Sequence, residues 1–237
     1  MSLQHPKWPT VILLDLDGTL VDSVPDLATA VDTMLSSLER PPAGLAQVRR
    51  WVGDGATRLI ERALADQDEP TTAPDAELFN RAKTAFYSAY HQCNGQQSQL
   101  YPGVLPFLRG AREQGCALAV VTNKPETFTL PLLRQLDLAH FFAAVISGDS
   151  LTRADGSPLR KPDPEPLQAA MEKLHGDRDN SIMIGDSRAD IAAARGVGIP
   201  VIAVSYGYNH GEPIAKYQPD RVVDSLESLL AEETWHS

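Results

Sequence analysis

Short runs of consecutive apolar residues recur along the chain, each closed by polar residues. The first is Val11-Ile12-Leu13-Leu14, followed by Asp15. A run that is apolar at every position and rich in β-branched residues reads as a strand covered on both faces, as in a parallel sheet. Similar runs fall at residues 117–122, 144–147, 181–185, 200–205 and 221–223. Apolar positions at helical spacing lie between most of them, at 104–114, 126–136, 164–175 and 188–197. Strand and helix in alternation require right-handed crossovers, and they predict an α/β, doubly wound (Rossmann-like) parallel sheet.

Residues 24–99 break that alternation. They show no strand pattern, and 26–38, 45–52, 56–65 and 75–93 read as helices. In the last of these, Phe79, Ala82, Phe86, Ala89 and Cys93 recur at three- and four-residue steps. Pro41-Pro42, Gly53-Asp54-Gly55 and the proline-bounded stretch 70–74 supply the turns. We therefore expect a core made of residues 1–23 and 100–237, with an all-helical domain, 24–99, inserted after the first strand. Residues 148–158 read as a polar loop.

Composition narrows the function classes. A chain of 237 residues with 43% hydrophobic content can bury a core without disulfides or metals as staples. Its formal charge of −10, from 21 basic and 31 acidic side chains, opposes a phosphate backbone and argues against nucleic acid as a partner. No apolar run approaches the ~18 residues of a membrane span. The first nine residues lack the apolar stretch of a secretory leader. Cys93 and Cys116 form neither a disulfide framework nor a four-ligand zinc site. A cytoplasmic protein, monomer or homodimer, is the expectation.

The chemistry gathers where predicted strands end, which is where open α/β sheets bind ligands. Asp15 and Asp17 flank Leu16 and precede Gly18, which permits a sharp turn. Paired carboxylates let one act as nucleophile or metal ligand while the other handles protons. Asp186 and Asp190 follow another buried run and share one face of a helix that begins there. Oxygen-only ligand sets of this kind suit Mg2+. Thr122-Asn123 can hold phosphate oxygens at a helix start or serve as a helix cap. Lys161, just before Pro162, can balance phosphate and carboxylate charge.

Taken in order, Asp15-Leu16-Asp17-Gly18-Thr19, Val121-Thr122-Asn123, Lys161-Pro162 and Gly185-Asp186-Ser187 with Asp190 resemble the four motifs of the haloacid dehalogenase superfamily of aspartate-nucleophile phosphatases. The resemblance spans residues 10–223. It implies a nucleophile at Asp15 and a general acid/base at Asp17, whose backbone carbonyl also meets the metal. It implies phosphoryl binding by Thr122 and Asn123, and charge balance by Lys161. Magnesium would be held by Asp15, Asp17 and Asp186, with Asp190 in support, and the helical insertion would be a cap over the site.

Within the superfamily, 20–23, Val52-Gly53-Asp54-Gly55, Tyr101-Pro102-Gly103-Val104, Val121-Thr122-Asn123-Lys124-Pro125 and 206–214 are similar to bacterial phosphoglycolate phosphatases. That implies a small phosphorylated metabolite, 2-phosphoglycolate, as substrate. A sugar-phosphate phosphatase or a β-phosphoglucomutase-like enzyme is the alternative. The substrate carboxylate calls for a cap cation or a nest of N–H groups. Gly53, Asp54 and Arg58 are the residues expected there, with Arg49 and Arg50 as other cations. Tyr208 and His210 read either as lining the mouth of the site or as a surface loop, and the surface loop is the expectation.

Overall fold

The structure, a computed structural model, describes residues 8–231. The reading of the first nine residues as leader-free falls almost wholly outside that span. In order, the elements are β1 (Val11–Leu14), β2 (Val21–Asp22), α1 (Val24–Ser37), α2 (Gly44–Trp51), α3 (Ala56–Ala65), α4 (Ala76–Cys93), β3 (Gln99–Leu100), α5 (Val104–Glu113), β4 (Ala117–Val121) and α6 (Glu126–Gln135). Then follow β5 (Ala144–Ile146), α7 (Glu165–Lys173), β6 (Ser181–Gly185), α8 (Arg188–Val197), β7 (Val201–Val204) and β8 (Arg221–Val223).

Six strands form one parallel sheet in the order β5-β4-β1-β6-β7-β8. This is the doubly wound α/β fold expected from the sequence. Alternate residues of each strand face opposite layers. Ile12, Leu14, Val120 and Ile184 pack with Phe107 and Leu108 of α5 on one face. Val11, Leu13, Val121 and Met183 pack with Leu167 of α7 and Ile191 of α8 on the other. Both layers are apolar, which explains why the strand runs lack polar alternation. β1 lies between β4 and β6, so its C-terminal end opens at the middle of the sheet.

Helices α1 to α4 share a separate apolar cluster built on Val31, Met34, Trp51, Ile60 and Phe86. Phe128 of α6 and Tyr208 join this cluster, so it rests against the sheet unit. Two details depart from the spacing-based expectation. Helix α1 starts at Val24 rather than at 26, with Pro25 in its first turn, where proline's missing N–H costs nothing. The chain also leaves and re-enters the sheet unit through an antiparallel pair, β2 with β3. Strands of two residues are too short to display any periodicity. The 148–158 stretch is a folded turn, bridged between Thr152 and Pro158, with Arg153 paired to Asp163. Among the described residues, no helix is long and apolar enough to cross a membrane.

Candidate active site

Asp15 directly follows β1, and its N–H is held by the carbonyl of Ile184 at 3.0 Å. Thr122 and Asn123 follow β4, Asp186 follows β6, and Lys161 precedes α7. The parallel sheet thus brings Asp15, Thr122, Asn123 and Asp186 to the C-terminal ends of three adjacent strands. Carboxylate oxygens of Asp15, Asp186 and Asp190 all lie within 4.8 Å of one another, and all three residues are buried.

One cation answers this crowd of acids. Lys161 Nζ lies 2.7 Å from Asp15 Oδ1 and 2.6 Å from Asp190 Oδ1. Asp190 is fixed from behind, because its Oδ2 accepts from the Ser187 N–H at 3.0 Å and the Ser187 hydroxyl at 2.7 Å. The Asp190 N–H donates back to the Ser187 hydroxyl at 3.4 Å, and the exchange is the capping box that starts α8. Asp190 therefore serves two ends at once, starting the helix and holding the lysine.

Asp186 is placed by Thr19, whose hydroxyl donates at 2.9 Å, and by the Tyr208 N–H at 2.9 Å. Gly18 makes this approach possible. Its φ is +92°, and a Cβ there would lie 2.3 Å from Asp186 Oδ2. Only glycine fits the turn that brings residues 15–19 against Asp186.

Burial and crowding shift the ionisation of the cluster. Burial pushes the Asp15 carboxyl up to about 6, with Lys161 pulling it down and Asp190 pushing it up. Burial, with Asp15 and Asp190 close by, holds Asp186 well above the usual carboxylate range. For Lys161, burial works against the ammonium, yet the Asp15 and Asp190 carboxylates lift it above its ordinary value. Three buried carboxylates with one ammonium leave excess negative charge, and every donor atom is a hard oxygen. Such a set fits Mg2+, which prefers carboxylates with substrate phosphate and water.

Asp17 stands apart from the other acids. Its carboxylate accepts from the Ser23 hydroxyl at 2.5 Å and pairs with Lys124 Nζ at 3.1 Å and 3.2 Å. Lys124 also bonds the Tyr90 hydroxyl at 2.5 Å, and its Nζ lies 4.7 Å from the Tyr90 ring centre. The sequence marked Lys124 only as part of a resemblance and gave Tyr90 no part in the site. Its place directly after the Thr122-Asn123 pair that follows β4 was the available signal.

A cavity of about 490 Å³, counting its open mouth, lies over Asp15 and Asp17. It is lined from the sheet side by Thr122, Asn123 and Lys124, and from the helical side by Gly53, Gly55, Leu59, Phe86 and Tyr90. Gly55 has φ +87°, and a Cβ there would meet Arg160 and the Asn123 carbonyl. Asn123 Nδ2 donates to the Lys161 carbonyl at 2.9 Å, which ties the loop after β4 to the loop that carries Lys161.

The helical cations expected at the cavity sit elsewhere. Arg58 pairs with Glu61 at 3.0 Å and Glu69 at 2.8 Å. Arg49 pairs with Asp22 at 2.9 Å, and Arg50 pairs with Asp68. None of the three lines the cavity. Asp54 turns away from it toward buried Arg62, at 2.7 Å, and His210, at 3.3 Å. Tyr208 is buried rather than on the surface, and its hydroxyl bonds the Ser23 N–H and Asp22, each at 2.9 Å. Arg49 lies over the Tyr208 ring at 5.2 Å. These contacts tie α2 and the entry strand to the loop after β7. Their partners are far apart in sequence, which is why spacing did not reveal them.

Comparison with known proteins agrees with this arrangement. A model of the family described as haloacid dehalogenase-like hydrolase matches residues 9–198. A protein of Pseudomonas syringae pv. syringae named phosphoglycolate phosphatase is 45% identical over 224 residues, covering 94% of this chain and 79% of that one. A protein of the same name from Nitrosococcus oceani is 45% identical over 220 residues, covering 93% and 94%. A crystal structure from Haemophilus somnus, described as a predicted phosphoglycolate phosphatase, superposes with a TM-score of 0.83 at 34% identity, covering 93% of this chain and 96% of that one. A crystal structure of CbbY from Rhodobacter sphaeroides, at 21% identity and a TM-score of 0.74, shares the fold. The chain belongs to the haloacid dehalogenase-like hydrolase family.

Proposed function

We propose that this hydrolase is a Mg2+-dependent phosphatase that cleaves 2-phosphoglycolate to glycolate and phosphate through an aspartyl-phosphate on Asp15. The observation that carries the reading is the buried cluster itself. Asp15, Asp186 and Asp190 meet around Lys161, beside Thr122 and Asn123, at the C-terminal edge of the sheet. The names of the relatives supply the substrate.

Phosphoryl transfer depends mainly on positioning and on charge stabilisation. Asp15 attacks phosphorus with its free carboxylate oxygen, and the ester oxygen leaves. Lys161 keeps Asp15 ionised and aimed, while Asp190 keeps Lys161 in place. The Thr122 hydroxyl and the Asn123 region hold the phosphoryl oxygens. Asp17 gives the leaving alkoxide its proton and then takes one from the water that opens the acyl-phosphate. Ser23 and Lys124 fix the Asp17 carboxyl in place for both transfers. Asp15, Asp186 and the main-chain carbonyl of Asp17 would hold the magnesium ion, which supplies charge neutralisation at the phosphoryl group. We assign residues 24–99 as a cap that excludes water from the acyl-phosphate, over a core of 1–23 and 100–237. We assign the reaction to the cytoplasm, in keeping with two free, buried cysteines.

The test is phosphate release from 2-phosphoglycolate and from a panel of sugar and nucleotide monophosphates, with magnesium and then with chelator. Preference for 2-phosphoglycolate, abolished by chelator, supports the proposal. Preference for a sugar phosphate keeps the chemistry and replaces the substrate.

A further inference from the structure

Resting on that reading, we propose that Lys124 is the specificity residue of the cavity. It binds the carboxylate of a small phosphorylated acid, and Tyr90 holds its ammonium in position.

The argument begins with the charge a substrate meets. Beyond the phosphoryl end, the cavity walls are apolar, formed by Leu27, Leu59, Phe86 and Phe128. Among the described residues lining it, Lys124 is the only basic one. Its side chain is 3% exposed, so its field is little screened by water. The arginines nearest in sequence to the glycine turn are paired to acids elsewhere.

Geometry then fixes what Lys124 can recognise. Asp17 acts on the ester oxygen, and Lys124 Nζ lies 3.1 Å from the Asp17 carboxylate. A group one carbon beyond the ester oxygen therefore falls within reach of the ammonium. A carboxylate at that position gives the ammonium a second anionic partner beside Asp17 inside a low-dielectric pocket, where charge-assisted hydrogen bonds are at their strongest. A methyl group there offers the ammonium nothing. A polyhydroxylated tail would bury hydroxyls against leucine and phenylalanine without partners, which disfavours sugar phosphates.

Tyr90 completes the arrangement. Its ring stacks on Phe86 with centroids 5.5 Å apart and lies 4.6 Å from Phe128, so its hydroxyl is held rigidly against Nζ. Burial keeps that phenol well above its usual pKa, so it remains a neutral partner of the ammonium. Because Tyr90 belongs to α4 and Lys124 to the sheet unit, the carboxylate subsite is complete only when the two units are together.

The experiment compares 2-phosphoglycolate with ethyl phosphate, which carries a methyl group in place of the carboxylate. kcat and KM are measured for both esters on the magnesium-loaded full chain, for wild type, Lys124→Met and Tyr90→Phe. Both esters need Asp15, Asp17 and Lys161, so damage passed through Asp17 lowers both alike. The ratio of their kcat/KM values isolates recognition of the carboxylate. We expect Lys124→Met to lower this ratio by about 10- to 100-fold, mainly through KM for 2-phosphoglycolate, as loss of one charged hydrogen bond predicts. Tyr90→Phe should lower it by a smaller factor. If Lys124→Met does not fold, Lys124→Gln, which keeps a donor for Tyr90, carries the same comparison. A wild-type preference that survives in the variant refutes the role of Lys124 and leaves the phosphatase reading standing. A wild type without preference refutes the substrate reading, and this inference with it.

Discussion

Asp26 gives the strongest stability prediction. It is a carboxylate with 0% exposure in the first turn of α1, and among the described residues no ammonium or guanidinium pairs with it. Instead its Oδ2 accepts from the Gly95 N–H and the Ser98 N–H, each at 2.9 Å, and from the Ser98 hydroxyl at 2.5 Å. Its Oδ1 accepts from the Gln97 N–H at 2.9 Å. Residues 95–98 form the link from α4 to β3, so this one side chain ties the end of α4 to the start of α1. Asp26→Asn keeps the shape but replaces one acceptor with a donor. At best the amide oxygen retains one side, while its NH2 group faces a backbone N–H. The new NH2 group then faces the Gln97 N–H with no acceptor, at about 1–3 kcal/mol, and the bonds from Gly95 and Ser98 lose their charge assistance. A total of about 3–5 kcal/mol follows, and at about 2–4 °C per kcal/mol for a chain of this size Tm should fall by about 6–20 °C. Thermal unfolding of wild type and variant, followed by circular dichroism in one buffer, measures this. A Tm within 2 °C of wild type would refute the reasoning, because it would mean that the donors around Asp26 find other partners at little cost.

Three further expectations concern the active cluster. Lys161→Met leaves Asp15, Asp186 and Asp190 without an ammonium, so turnover should fall at least about 10³-fold while the magnesium-loaded protein stays folded. Phosphate release and circular dichroism on the same sample test this, and near-normal turnover would contradict it. Gly18→Ala places a methyl group against Asp186 at a positive φ, which should cost roughly 1–3 kcal/mol and weaken magnesium binding. Calorimetric titration with the metal alone is the check, and wild-type affinity would exclude the steric argument. The metal-free protein should also lose stability as pH rises. Asp15 has its pKa raised from 3.8 to about 6, so the folded state binds this proton more tightly than the unfolded chain does. Its contribution is full below about pH 4 and is lost as pH climbs through about 6, up to about 3 kcal/mol for an isolated site. Urea midpoints at pH 4.5 and 7 in chelator measure the loss, and magnesium at pH 7 should restore the midpoint. A chelated protein with no loss over that interval would count against Asp15 as the group responsible.

Much of this was legible in the chain because it is local. A parallel strand buried on both faces must be continuously apolar, so Val11-Ile12-Leu13-Leu14 and its counterparts stood out. The acids at 15, 17, 186 and 190 were visible because each follows such a run. What stayed hidden depends on contacts between distant residues. Arg58 was a reasonable carboxylate ligand one turn after a glycine pair; its i,i+3 partner Glu61 was in view on the same helix, but sequence does not show that Glu69, beyond the end of α3, folds back to claim it as well. Tyr208 looked like a loop residue, yet the Ser23 N–H and Asp22 on the entry strand give its hydroxyl a buried place. Lys124 would pass for a solvated lysine unless Asp17 and Tyr90 were known to converge on it.

The central claim is a covalent phosphoryl group on Asp15. Acyl-phosphates are reduced by borohydride to the alcohol, which converts the aspartate into homoserine. The decisive measurement is peptide mass analysis of enzyme mixed with magnesium and 2-phosphoglycolate, quenched during turnover and treated with borohydride. The account requires homoserine at position 15 only when substrate is present, and none in Asp15→Asn, which should also lack turnover. Steady phosphate release with an unmodified residue 15, or turnover retained by Asp15→Asn, would contradict it.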